Sequence, residues 1–166
     1  MTSPRRVGYL GLGSNVGDCR ANLADAVAAL VEAGVEVTAE ASIYKTAPQG
    51  EVLDQPDFLN SAVRIETALE PLELLDLCKQ IERELGRAGG GPRHGPRLID
   101  IDLLLLGDLT LQSDHLTLPH REITTRRFVL EPLLEIEPEL TLPDGVAAAE
   151  FLTAVSDQPV ELLTPQ

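Results

Sequence analysis

The chain has 166 residues, of which 43% are hydrophobic and 24% charged, so it has the size and apolar content of one domain spanning 1–166. Its 27 acidic residues outweigh 13 basic ones to give a net charge of −14, which leaves no general electrostatic footprint for nucleic acid or an anionic membrane. Aromatics are 3% with no Trp, Cys19 and Cys78 fit no metal or redox spacing, and no apolar run of membrane-spanning length or leader-like start is evident, so the expectation is a cytoplasmic protein with an aliphatic core, both Cys inside it, and no obligate protein partner.

Val7 to Leu12 reads as a strand that enters a turn at Gly13-Ser14-Asn15. Asp18 is then positioned to cap a helix over Ala21 to Ala33, with Leu23, Val27, Leu30 and Val31 at helical spacing and Gly34 at its end. Val35 to Tyr44 alternates and predicts one half-buried strand. Thr46 to Pro56 reads as a loop. Phe58 to Thr67 returns as a strand with Leu59, Val63 and Ile65 on one face and Phe58 and Asn60 on the other. Glu70-Pro71 opens a helix whose stripe is Leu74, Cys78, Ile81 and Leu85 and which Gly86 ends.

Arg87 to Pro96 is a second loop rich in Gly, Pro and Arg. Leu98 to Leu106 is apolar on both faces except at two positions and reads as a central strand. Leu109 to Leu111 and Leu116 to Leu118 suggest a small hairpin. Pro119 to Arg127 is irregular, Phe128 to Ile136 holds a short helix interrupted by Pro132, and Val146 to Val155 is a last helix. The order of elements predicts an α+β fold with a largely antiparallel sheet and helices packed on it.

The two interruptions in the apolar strand are Asp100 and Asp102. Residues two apart on a strand share a face, so the pair presents two carboxylates side by side. Their repulsion and desolvation are relieved by a divalent cation; Mg²⁺ takes one or two carboxylates plus substrate phosphates. A structural pair bonded to Arg or backbone is the competing reading. The basic island Arg87, Arg93-His94-Gly95-Pro96-Arg97 immediately upstream favours the metal, because guanidinium forks match phosphate oxygens. His120 with Arg121, Arg126 and Arg127 forms a second candidate anion contact. Thr46, Phe58 and Asn60 form a third group, with a ring for stacking and an amide for reading a heterocycle edge; Phe128 offers a second ring. Gly11-Leu12-Gly13 fails as a dinucleotide fingerprint because the third glycine falls at 17.

The run Arg93-His94-Gly95-Pro96-Arg97-Leu98-Ile99-Asp100-Ile101-Asp102-Leu103-Leu104 resembles the signature of the 6-hydroxymethyl-7,8-dihydropterin pyrophosphokinase family. Gly13-Ser14-Asn15, Tyr44-Lys45-Thr46, Gln55-Pro56-Asp57-Phe58-Leu59-Asn60, Ile81-Glu82 with Gly86-Arg87, Leu118-Pro119-His120, and Arg126 with Phe128 fall in the family's order. The resemblance implies a ferredoxin-like fold and transfer of pyrophosphate from ATP to the pterin alcohol in folate biosynthesis. It also implies two Mg²⁺ on Asp100 and Asp102, with Arg87 and Arg97 assisting catalysis. Glu82, Arg87, Arg97, Ile101, His120 and Arg126 would contact ATP, and Thr46, Phe58, Asn60 and Phe128 would hold the pterin. Family members often carry Trp where this chain has His94, Tyr where it has Phe58, and an aromatic where it has Arg121. A metal-dependent phosphohydrolase and a non-catalytic nucleotide-binding module are the alternatives. The first has no need of the ring slot, and the second would tolerate loss of Asp100.

Overall fold

The computed structural model describes residues 4–47, 56–86 and 98–163. Strand β1 (Arg6–Ser14) runs into helix α1 (Cys19–Glu32). The turn between them is held by side chains. Asn22 Nδ2 donates to Ser14 Oγ and to the carbonyl of Val16 at 3.1 and 2.7 Å, Asp18 accepts from the Ala21 N–H as the expected N-cap, and buried Asn15 donates to the carbonyl of Pro56. Leu23, Ala26 and Leu30 are the buried face of α1, whereas Val31 is 55% exposed. Cys19, in the first turn, lies outside the core; only Cys78 is buried.

The single strand expected over Val35 to Tyr44 is two strands, β2 (Glu36–Glu40) and β3 (Tyr44–Thr46), lying end to end along the same edge of β4 (Phe58–Thr67). The ladder also shifts register within β2, between Val37 and Ala39, and Thr46 belongs to β3 rather than to the following loop. Helix α2 (Pro71–Leu85) follows, with the Glu70 N–H donating to Glu73 and Leu74, Cys78 and Ile81 buried.

Strand β5 (Asp100–Leu106) is an edge strand of the antiparallel sheet β5-β1-β4-β3-β8, not a central one. It reads as central because both of its faces are covered. Ile101, Leu103 and Leu106 pack with α1 and α2, whereas Leu104 and Leu105 pack on the opposite side. The successive leucines change sides at an irregularity where Leu10 pairs with Leu103 and Tyr9 with Leu105, leaving Leu104 as the extra residue. The open edge is satisfied from outside the sheet: the Ile101 N–H donates to Glu82 Oε2 at 2.7 Å and the His120 N–H to the Leu104 carbonyl at 2.9 Å.

A hairpin of β6 (Leu111–Gln112) and β7 (Thr117–Leu118) and a 3-10 turn at Arg121–Ile123 lead to α3 (Arg127–Ile136). Helix α3 forms the third layer with Leu130 and Leu133 buried against β4. Pro132 cannot donate within this helix, and its first turn is held by the C-terminal segment. The Arg127 N–H donates to Gln158 Oε1, and the Arg127 guanidinium to the carbonyls of Ser156 and Gln158. The last helix expected at 146–155 is a 3-10 turn at Ala148–Phe151 and one helical turn α4 (Leu152–Val155), after which the unanticipated β8 (Glu161–Leu162) pairs with β3. The β1-α1-β2/β3 and β4-α2-β5 units interlock as in a ferredoxin-like sheet, with α1 and α2 on one face and α3 and α4 on the other.

Candidate active site

The strand register assembles the site on the α3 side of the sheet. Gly13 pairs with Asp100 on one side and Asn60 on the other, and Gly11 pairs with Asp102. Two residues without side chains thus lie between the carboxylates of β5 and the Phe58–Asn60 face of β4. They form the floor of a cavity of about 490 Å³, walled by Thr46, Phe58, Asn60, Asp100, Asp102 and Phe128, with Arg126 also lining it. A Cβ on Gly13 would stand 3.0 Å from Asn60 Oδ1, so the glycine keeps the amide clear.

Asn60 and Thr46 are both buried and are joined by a hydrogen bond from Asn60 Nδ2 to Thr46 Oγ1 at 2.7 Å. With its oxygen accepting, the Thr46 hydroxyl retains a proton to donate, and Asn60 Oδ1 remains as an acceptor. The two polar groups can therefore read one edge of a heterocycle. Phe58 is half-buried and belongs to neither hydrophobic cluster, and Phe128 from α3 packs only at the margin of its own. Both rings line the cavity and could bracket a flat ligand.

A second cavity, of about 410 Å³, opens on the other side of β5. Leu75, Ile101, His115, Thr117 and His120 line it, while Lys79, Asp102 and Glu122 border both cavities. Asp102 faces open space yet is surrounded by protein. Its carboxyl is pushed up to about 6, first by desolvation and then by the negative charges of Glu122 and Glu82, against a smaller opposing effect of Lys79. A cation placed there would reverse that imbalance. Burial holds the His120 imidazole below its ordinary value, with Arg121 adding to this and Glu122 opposing it. Its Nδ1 accepts from the Glu122 N–H at 3.1 Å, so the neutral ring carries its proton on Nε2 as a donor.

Of the residues predicted from sequence, Thr46, Phe58, Asn60, Asp100, Asp102 and Phe128 come together in the first cavity, and Ile101 and His120 line the second. Arg126 lines the first cavity rather than joining His120 in the second. Glu82 bonds to the strand between the two aspartates and pairs with Lys79 at 3.5 Å. Arg127 is not among the residues lining either cavity, and its guanidinium bonds to the C-terminal carbonyls and Glu131. Arg87, Arg97 and the remainder of the basic loop lie outside the described residues.

Sequence reasoning missed Lys79, Glu122, and the glycine floor. The glycines carried a usable signal, because the two-residue spacing of Gly11 and Gly13 matches that of Asp100 and Asp102 on a neighbouring strand. Among the described residues no three His, Cys, Asp or Glu side chains form a ready metal cluster. Asp100 and Asp102 are the pair able to hold a divalent cation, in the manner of a site that a ligand's own oxygens complete.

A ferredoxin-like α+β fold with paired edge-strand carboxylates between two cavities is the class that these observations define. The chain belongs to the 7,8-dihydro-6-hydroxymethylpterin-pyrophosphokinase (HPPK) family, whose profile matches residues 9–138. It is 45% identical over 154 residues to the 2-amino-4-hydroxy-6-hydroxymethyldihydropteridine pyrophosphokinase of Methylorubrum extorquens, covering 92% of this chain and 96% of that one. It is 48% identical over 139 residues to the mitochondrial folate synthesis bifunctional protein of Pisum sativum; the match covers 84% of this chain but 27% of the pea protein. The Plasmodium falciparum HPPK-DHPS structure with pteroate shares the fold at a TM-score of 0.71 and 16% identity, over 93% of this chain and 43% of that one.

Proposed function

We propose that this chain transfers the β,γ-diphosphate of ATP to the hydroxymethyl oxygen of 6-hydroxymethyl-7,8-dihydropterin, giving AMP and the pterin diphosphate for folate synthesis. The observation that carries the reading is that Asp102 borders both cavities, so a ring bound in one and a nucleotide bound in the other would meet beside the carboxylate pair. The family match and the pyrophosphokinase of M. extorquens, matched over nearly its whole length, support the same reaction.

The pterin would lie between Phe58 and Phe128, with its amide-like edge toward Thr46 and Asn60. The flat ring gains stacking area and the two buried polar groups gain ligand partners, an arrangement that selects against rings lacking that edge. ATP would occupy the second cavity, with His120 Nε2–H donating to phosphate oxygen. Asp100 and Asp102 would hold Mg²⁺, two ions in our reading, which when bound neutralises charge on the phosphates. The residues present fit that role, because Asp102 is a carboxyl destabilised as an anion by burial and then by its acidic neighbours.

The reaction is an in-line displacement. The hydroxymethyl oxygen forms a bond to the β-phosphorus and gives up its proton to solvent, the bond from that phosphorus to the α,β-bridging oxygen breaks, and AMP departs with the bridging oxygen. The protein's contribution is alignment of the two substrates across β5 and screening of phosphate charge. Arg87 and Arg97 are proposed to supply guanidinium groups to those phosphates, and Arg126, at the mouth of α3, one more from the ring side. The proposed unit is one domain, 1–166, and the two free cysteines accord with a reducing, cytoplasmic setting.

Incubation with Mg²⁺, ATP and the pterin tests the reading. AMP that appears only with pterin, and falls at least about a hundredfold in Asp102→Ala, supports it. Nucleotide turnover without pterin contradicts it and favours the phosphohydrolase.

A further inference from the structure

A network outside both cavities bears on the ring slot. Glu135, near the end of α3, collects three donors from the neighbouring edge of the sheet. The Tyr44 hydroxyl donates to its Oε1 at 2.5 Å, and the Ser42 N–H and hydroxyl donate to its Oε2 at 2.8 and 2.9 Å. Ser42 lies in the break between β2 and β3, so its N–H has no strand ladder to join and is free for the carboxylate.

The geometry links this network to the slot. Tyr44 and Thr46 are two apart on β3 and so share a face about 7 Å apart. Glu135 and Phe128 are seven apart on α3, two turns or about 10 Å along one side of the helix. At one end of this strand–helix contact Tyr44 meets Glu135. At the other, Thr46 and Phe128 line the same cavity. Tyr44 also pairs in register with Asn60, whose amide binds Thr46. We propose that Glu135 is a positioning residue for the ring slot: it fastens α3 to β3 at the end remote from the ligand and so fixes the gap between Phe128 and the Thr46–Asn60 pair.

The protonation states suit a permanent fastening. Burial, then the hydrogen bond to Glu135 and the charges of Glu135 and Glu131, push the Tyr44 phenol up, so it remains a donor. Desolvation raises the Glu135 carboxyl, but the bonds from Tyr44 and Ser42 outweigh it and the net shift is down. Glu135 is exposed, so its replacement leaves no cavity in the core.

The inference rests on the ring slot being the pterin site, and the test separates the two. Dissociation constants for 6-hydroxymethyl-7,8-dihydropterin and for Mg²⁺-ATP are measured by calorimetry on the wild type, Glu135→Ala and Glu135→Gln, beside their thermal midpoints. The expected result is pterin binding weakened about tenfold in Glu135→Ala with Mg²⁺-ATP binding unchanged within twofold, and recovery of most of the loss in Glu135→Gln, which keeps an acceptor oxygen. Unaltered pterin affinity in Glu135→Ala, or equal weakening of both ligands, overturns it, even if the midpoint falls. A wild type that does not bind the pterin would instead sink the slot itself, and the positioning role with it.

Discussion

At the scale of single residues, the site depends as much on side chains withheld as on those supplied. Gly13 separates Asp100 from Asn60 on the central strand, and a methyl there would press on Asn60 Oδ1 at 3.0 Å. Gly13→Ala is therefore expected to weaken pterin binding by about tenfold while leaving ATP binding intact, as two calorimetric titrations would read. Asp102 supplies a pH dependence whose sign is fixed by its raised value of about 6 against an ordinary 3.8. Between those values the metal-free folded protein holds a proton that the unfolded chain has lost. The Asp102 contribution to stability therefore falls as pH rises through that window and is level above it. Mg²⁺ held there, as proposed, would have to displace this proton, so its affinity should drop by up to about tenfold per pH unit below 6. Glu82→Gln keeps an oxygen for the Ile101 N–H but removes a charge that raises Asp102. It should shift the fall in Mg²⁺ affinity to lower pH; an unmoved profile would argue against that coupling. The Asp pair was legible in the sequence because a two-residue period on a strand leaves little freedom. Glu122 was not, because its approach to Asp102 depends on a 3-10 turn and a hairpin return that no local pattern encodes.

At the scale of elements, the strands and helices with one strong pattern were legible and the ones defined by their neighbours were not. β4 matches its predicted span, Phe58–Thr67, since alternation and the flanking turn residues agree. β2 and β3 look continuous because the alternation runs through the break, where the Ala41 N–H still donates to the Ala62 carbonyl of β4 but the Ser42 N–H turns to Glu135. β5 looks central because it is apolar on both faces, yet Glu82 and His120 cover its free edge. Arg127 is a further instance. Its charge groups it with the anion contacts, but as the first residue of α3 it ties the helix start to the C-terminal segment. Arg127→Ala should lower stability in urea by about 1–2 kcal/mol and leave the ATP dissociation constant within twofold. A large loss of ATP affinity at unchanged stability would restore the anion-binding role.

At the scale of the whole molecule, three layers give the sheet a buried face on both sides, and the site occupies the end where the α3 layer stops short of covering β5. The two cavities flank one edge strand, and Lys79, Asp102 and Glu122 border both. A chain of charge −14 repels polyphosphate in general. On the proposed reading, local Arg groups and cations at the aspartates would make that junction hospitable, so activity should depend steeply on Mg²⁺. The group proposed to cross this junction is a diphosphate rather than a single phosphoryl group. The most direct test is a single turnover with ATP labelled at the β-phosphorus, with products resolved by chromatography. The label is expected to move to the pterin while the nucleotide product is unlabelled AMP; labelled ADP, or label released as free phosphate or pyrophosphate without pterin product, would overturn the assignment.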